Sequence, residues 1–367
     1  MTARQFYILL WVMVVSLKVQ RLPSLIYDSL GRHGYLILFL YLAVNVLGIL
    51  LAFFILNRSG QKSLSENKGS FFATAGQKVL MIAITIYFLS QGLLLYETIQ
   101  NLFEHILFDN LSWMVFSVFL IVTIFFLAHT GIKNIALNFE LYFYVIIASY
   151  VIIAIFGATK ADFSVVLPFE TIDFKAISSK FINYNLWFGD FFLVLFAGKH
   201  AKDIKLKWTL LVYFFAIAFL VLLYVELNGI YGAYTSMKPS LITTITEQSM
   251  LGINIGRVDW FLILFTEFGT ILSCGVCIYF AKKCLSFVFP KISSIYILMI
   301  IMVALYSLNV FYLVDTHMRE VVVAGYLNYI SAITKWVSFL IMVLFSLTIR
   351  KSKKIKKIGG QAHEREV

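Results

Sequence analysis

Long apolar runs, separated by short polar clusters, organise the whole chain. Runs able to cross about 30 Å of hydrocarbon fall near residues 5–30, 35–56, 79–101, 112–131, 138–157, 183–198, 207–230, 258–286, 293–314 and 321–349. A helix satisfies its own backbone hydrogen bonds, so each run reads as a membrane-crossing helix. The pattern predicts an all-α membrane protein of about ten transmembrane helices. The longest intervening segments, 158–182 and 231–257, have room for short helices only. One ten-helix domain over 1–350 and a basic tail over 351–367 are therefore expected.

Two runs are interrupted. In the first, Ser16, Leu17, Lys18, Val19, Gln20 and Arg21 precede Leu22 and Pro23, and in the sixth, Trp187 and Phe188 precede Gly189 and Asp190. These are the first members of two sets of five spans. Inverted repeats of that form place a site near the midplane, between discontinuous helices.

Composition supports the membrane reading: 61% of the 367 residues are hydrophobic and 13% are charged. That is more apolar surface than one soluble core can hide. The net charge of +11 does not point to nucleic acid, because the basic residues cluster between the apolar runs. Arg58, Lys62, Lys68 and Lys78, then Lys133, then Lys199, Lys202, Lys205 and Lys207, then Lys282, Lys283 and Lys291 fall on one side, with the basic tail from Arg350 to Lys357. By the positive-inside rule that side, with both termini, is cytoplasmic, and the first apolar run is a retained span. The tail serves as an orientation signal and contacts anionic lipid.

Ionisable residues inside the spans are the candidate chemistry. Lys18 lies about 18 Å along a helix from Phe6, near the bilayer centre. A charge at that depth faces a cavity or a partner charge, and Asp190 is the partner available across the other broken helix. Gly189 permits unwound backbone beside Asp190, whose carboxylate could take an ammonium group. The alternative for Asp190 is a helix cap. The candidate binding set is Ser16, Lys18, Val19, Trp187, Gly189 and Asp190. Glu267 and Lys335, deep in spans eight and ten, are proton-coupling candidates, whereas Glu97 and Glu226 approach the outer interface. Arg257 and Asp259 form a candidate ion pair at the external rim.

Cys274, Cys277 and Cys284 share one span with no second pair to complete a zinc site, so no metal is expected. There is no nucleophile elbow, phosphate loop, dinucleotide fingerprint or H-E-x-x-H, so neither an enzyme nor a cofactor is predicted.

Short motifs in a consistent order resemble the spore germination permease family, the B subunits of nutrient germinant receptors, within the amino acid–polyamine–organocation superfamily. Thr2-Ala3-Arg4-Gln5 is similar to its opening S-x-R-Q, Leu22-Pro23 to its L-P, and Gly31-Arg32-His33-Gly34-Tyr35 to its G-x-x-x-W/Y. Gly131-Ile132 with Asn138 and Glu140 resembles G-I-x-x-x-A-R-x-x-E, and Leu167-Pro168 resembles L-L-P. Gly189-Asp190 is similar to G-x-E or G-E, Gly229-Ile230-Tyr231-Gly232 to G-x-F-G, and Arg257-Val258-Asp259 to E-R-x-E. Lys18 departs from the family's small, glycine-containing interruption. The resemblance implies a LeuT-like 5+5 fold in the spore inner membrane. It also implies recognition of an amino acid or similar germinant, in complex with A and C receptor subunits. A proton-coupled amino acid transporter of the same superfamily is the alternative.

Overall fold

Thr2 starts the first helix. Its hydroxyl accepts the Gln5 N–H at 3.2 Å while the Gln5 side chain accepts the Thr2 N–H at 3.0 Å, a reciprocal capping box. The helix α1, Ala3–Val19, then runs without interruption, and every residue from Val12 to Val19 is buried. A helix buried on all sides must be surrounded by others. The computed structural model describes residues 1–20, 22–58, 71–103, 113–165, 177, 187–237, 258–310, 326–327 and 329–344.

The helices that follow are α2, Leu22–Leu30; α3, Tyr35–Arg58; α4, Phe71–Leu102; α5, Trp113–Thr130; and α6, Ile132–Lys160. After them come α7, Phe191–Ala197; α8, Leu206–Tyr231; α9, Val258–Val288; and α10, Ser294–Leu308, with a last apolar helix α11, Tyr329–Leu344. There is no strand among the described residues. The segments Gly31–Asn57, Gly76–Gln100, Ile132–Lys160, Leu206–Tyr231 and Phe261–Val288 are long and apolar enough to cross a membrane, and the remaining apolar helices are shorter. Each of the ten apolar runs read from the sequence contains described helix.

The first break is narrower than the polar stretch implies. Ser16 to Val19 stay helical and a helix resumes at Leu22, so Gln20 is the one described residue between the two helices. Pro23 accounts for this position. Its ring would collide with the carbonyl four residues back, that of Val19, while in the first turn of a new helix its missing N–H costs nothing. Between α5 and α6, Gly131 turns the chain with φ of +94°, a conformation side-chain-bearing residues rarely adopt.

α1 packs against α6, α7, α8 and α9, while α4 lies along α9 and α3 covers α7 and α8. The surface is the reverse of a soluble protein's. Large apolar side chains point outward, including Phe119, Leu141 and Val303 at 67%, 68% and 65% exposure, whereas Lys18, Asp190, Glu226 and Glu267 are inside. An outward apolar belt around a polar interior is what hydrocarbon solvent selects. The chain is a membrane protein. Residues 345–367, which include the expected tail, lie outside the described residues.

Candidate functional site

The second break supplies the acidic half of the site. Phe188 and Gly189 are non-helical, Asp190 turns the chain, and α7 begins at Phe191. Gly189 is required by close approach, since a Cβ there would fall 2.6 Å from the Tyr87 ring. Asp190 stands at the N-cap position, yet its side chain makes no capping hydrogen bond. It is therefore not the helix cap that its position allows.

Instead the carboxylate meets Lys18. The Lys18 Nζ donates to both oxygens, at 2.9 and 3.0 Å, and the two side chains are 0% and 1% exposed. Tyr213 from α8 donates its hydroxyl to Asp190 Oδ2 at 3.0 Å. The Asp190 backbone N–H donates to Asn45 Oδ1 at 3.1 Å, and Asn45 returns its own N–H to the Tyr41 carbonyl at 3.0 Å. Tyr41 stacks on Phe188 with centroids 3.6 Å apart, and Lys18 Nζ lies 5.4 Å from the same Phe188 ring. Charge, hydrogen bonds and ring face together compensate the cost of burying both ions. Lys335 on α11 is buried within electrostatic reach of Asp190 and Lys18.

Beside Asp190 is a cavity of about 10 Å³, lined by Met13, Leu17, Tyr87, Phe88, Gln91, Leu193 and Cys277. That is about the room one water needs, and far less than an amino acid needs. The arrangement is thus closed: the two charges occupy each other.

The predicted binding set divides. Lys18, Gly189 and Asp190 come together, Val19 is the buried last residue of α1, and Trp187 is buried just before the second break. Ser16 does not join them. Two residues from Lys18 along a helix, it is turned about 200° away, and its hydroxyl sits 3.4 Å from Tyr150 of α6. Gln20 faces the same way and donates to Glu267 on α9 at 2.5 Å. Ser16 thus belongs to a second polar cluster. Arg257 and the side chain of Asp259 lie outside the described residues. Among the described residues no group of His, Cys, Asp and Glu could hold a metal ion, and the three cysteines are buried free thiols.

Tyr213, Asn45, Tyr41 and Tyr87 escaped the sequence reading, and Gln20 entered it only as part of the first interruption. Asn45 and Gln20 carried a local signal, as polar residues in apolar runs; a tyrosine in an apolar run carries none.

At the end of the bundle that carries the N-terminus, Glu140 of α6 holds the start of α1. Gln5 Nε2 donates to Glu140 Oε2 at 2.8 Å, and Arg4 Nε lies 3.3 Å from Glu140 Oε1. Arg4 and Gln5 close the first motif noted in the sequence and Glu140 closes a later one, so two distant motifs are one contact. The family model described as spore germination protein matches residues 1–317. The chain belongs to the spore germination permease family. No curated protein matches it significantly. Family membership covers all the helices that build the Lys18–Asp190 site except α11, which supplies Lys335.

Proposed function

We propose that this spore germination permease is a receptor subunit that binds a small nutrient, an amino acid, where Lys18 now meets Asp190. The observation that carries the reading is that fully buried pair, spanning the two broken helices. An α-amino acid bears the same two charges. Its ammonium group is complementary to Asp190 and its carboxylate to Lys18, so a ligand can replace the internal pair with two external ones without leaving either charge bare. Ligand binding then separates α1 from α7, and the change in helix position is the signal. Tyr213 and Asn45 hold Asp190 in place for both states.

The fuller architecture proposed with it draws support from the family and from the apolar runs. Ten spans in a LeuT-like 5+5 arrangement put both breaks at the midplane, with both termini in the cytoplasm and the chain in the spore inner membrane. A and C receptor subunits are the partners that read the conformational change. No cofactor is needed.

Proteoliposomes loaded at defined pH test this reading against its rival. A receptor subunit binds labelled amino acid without concentrating it, and Asp190→Asn abolishes the binding. Concentrative uptake that depends on a pH gradient assigns the chain to proton-coupled transport instead, with Glu267 and Lys335 as the coupling residues.

A further inference from the structure

A second buried polar cluster lies between α1, α6 and α9, on the side of α1 away from Asp190. Glu267 of α9 is fully buried. Its Oε1 accepts the Gln20 amide at 2.5 Å, and its Oε2 has no hydrogen-bond partner among the protein groups described. Thr270, one turn further along α9, is adjacent but its hydroxyl is equally unpartnered. Gly269 allows α1 to seat this closely, because a Cβ there would come within 2.8 Å of Ser16 Oγ.

Among the described residues, the groups around Glu267 carry no compensating charge. From α1 come Gln20 and Ser16, and from α6 comes Tyr150, the titratable neighbour whose charge would act on the carboxyl. Lys18, two residues before Gln20, is turned away and engaged by Asp190. Lys282, also on α9, donates to the Ala128 carbonyl of α5. Among the described residues, no cation from α4, α5 or α10 reaches the carboxyl either.

An ionised carboxylate offers about four lone-pair sites and in a buried place needs several donors or a cation. Here one amide serves it with full hydrogen-bond geometry, and the Thr270 hydroxyl beside it adds a weaker contact at most. A metal ion would require several oxygens converging on the carboxylate, but Gln20 presents its N–H. A proton on Oε2 satisfies the geometry with nothing else moved.

We propose that Glu267 is a proton-binding site, its carboxyl protonated while α1 is seated on α9 and released as a carboxylate when the break at Gln20 opens. The reaction is a simple exchange, Glu–COOH to Glu–COO⁻ plus a proton passed to water entering at the break. Gln20, the last described residue before the break, makes the link mechanical: the residue that holds the acid also caps α1. This inference is independent of the ligand reading, since Glu267 makes no contact with Asp190 or Lys18.

Infrared difference spectra of the full-length protein in lipid nanodiscs, taken in steps from about pH 5 to about pH 10 without added amino acid, test it. Subtracting the Glu267→Gln spectra from those of the wild type removes the bands of other protonated carboxyls, among them buried Glu226, and leaves one C=O band that is lost with rising pH and shifts in frequency in Gln20→Leu. Glu267→Gln mimics the neutral acid, so it folds with wild-type thermal stability at neutral pH. Absence of a protonated-carboxyl band from that subtraction overturns the proposal. So does a Glu267→Gln protein that fails to fold while Gln20→Leu folds normally with an unshifted spectrum. Thermal stabilisation by sodium chloride but not choline chloride, lost in Glu267→Gln, replaces the proton with a metal ion and overturns it as well.

Discussion

At the scale of single residues, the buried pair sets the largest energetic asymmetry in the molecule. Removing one member leaves the other charge uncompensated, so Lys18→Met and Asp190→Asn each destabilise the fold by about 3–5 kcal/mol. The double variant removes both charges and recovers most of that loss. Thermal unfolding in detergent of the four proteins of this cycle measures it, and additive losses would show that the two residues do not act as a pair. Both residues were legible in the sequence, since a lysine and an aspartate in apolar runs demand partners, and each was the other's available partner. Tyr213, Asn45 and Gln20 were not, because which hydroxyl or amide meets a charge depends on how distant helices pack. Ser16 stands apart from Lys18 for a similar reason: nearness in sequence grouped the two, while the helical turn puts Ser16 on the opposite face, beside Tyr150.

At the scale of elements, the two breaks have different causes. Pro23 ends α1 by sterics and is readable from the chain. The second break exists around Gly189, where the Tyr87 ring occupies the space of a side chain. Gly189→Ala therefore costs about 1–3 kcal/mol from overpacking, and Tyr87→Leu in the same protein restores part of it. Unfolding measurements on the single and double variants check this, and an unchanged stability in Gly189→Ala would remove the close-approach argument. The apolar runs located the helices well because hydrocarbon length fixes their extent. The polar stretch from Ser16 to Pro23 overstated the first break, because serine, leucine, lysine and valine are all compatible with helix when tertiary contacts surround them.

At the scale of the whole molecule, the rim that carries the start of α1 gathers positive charge, and its effect is visible at His200. Burial first, then Lys283 and Lys199, push this imidazole down to about 4 from its ordinary 6.5. Between those values the unfolded chain binds a proton that the folded chain refuses, so stability rises with pH through that window and falls on acidification. His200→Asn flattens this part of the profile, measured as unfolding midpoint against pH. A profile unchanged by the substitution would mean that His200 is solvated like an ordinary surface histidine. The same rim ties down the start of α1, where Lys202 N–H donates to the Met1 carbonyl at 3.3 Å and Lys205 N–H to the Tyr7 hydroxyl at 2.9 Å. α1 is thus held at its start through Glu140 and this loop, and near its end on two faces, by Asp190 through Lys18 and by Glu267 through Gln20. Any signal that moves α1 has to reach one of these three holds, and of the two that pair a cation with a carboxylate, Lys18–Asp190 is the one shut away from solvent.

Equilibrium binding of a panel of labelled amino acids to the purified full-length protein, with Lys18→Met and Asp190→Asn alongside, bears most directly on that claim. Saturable binding of at least one zwitterionic amino acid by the wild type, lost by tenfold or more in each folded variant, is the predicted result. Binding that persists undiminished in both variants would contradict it.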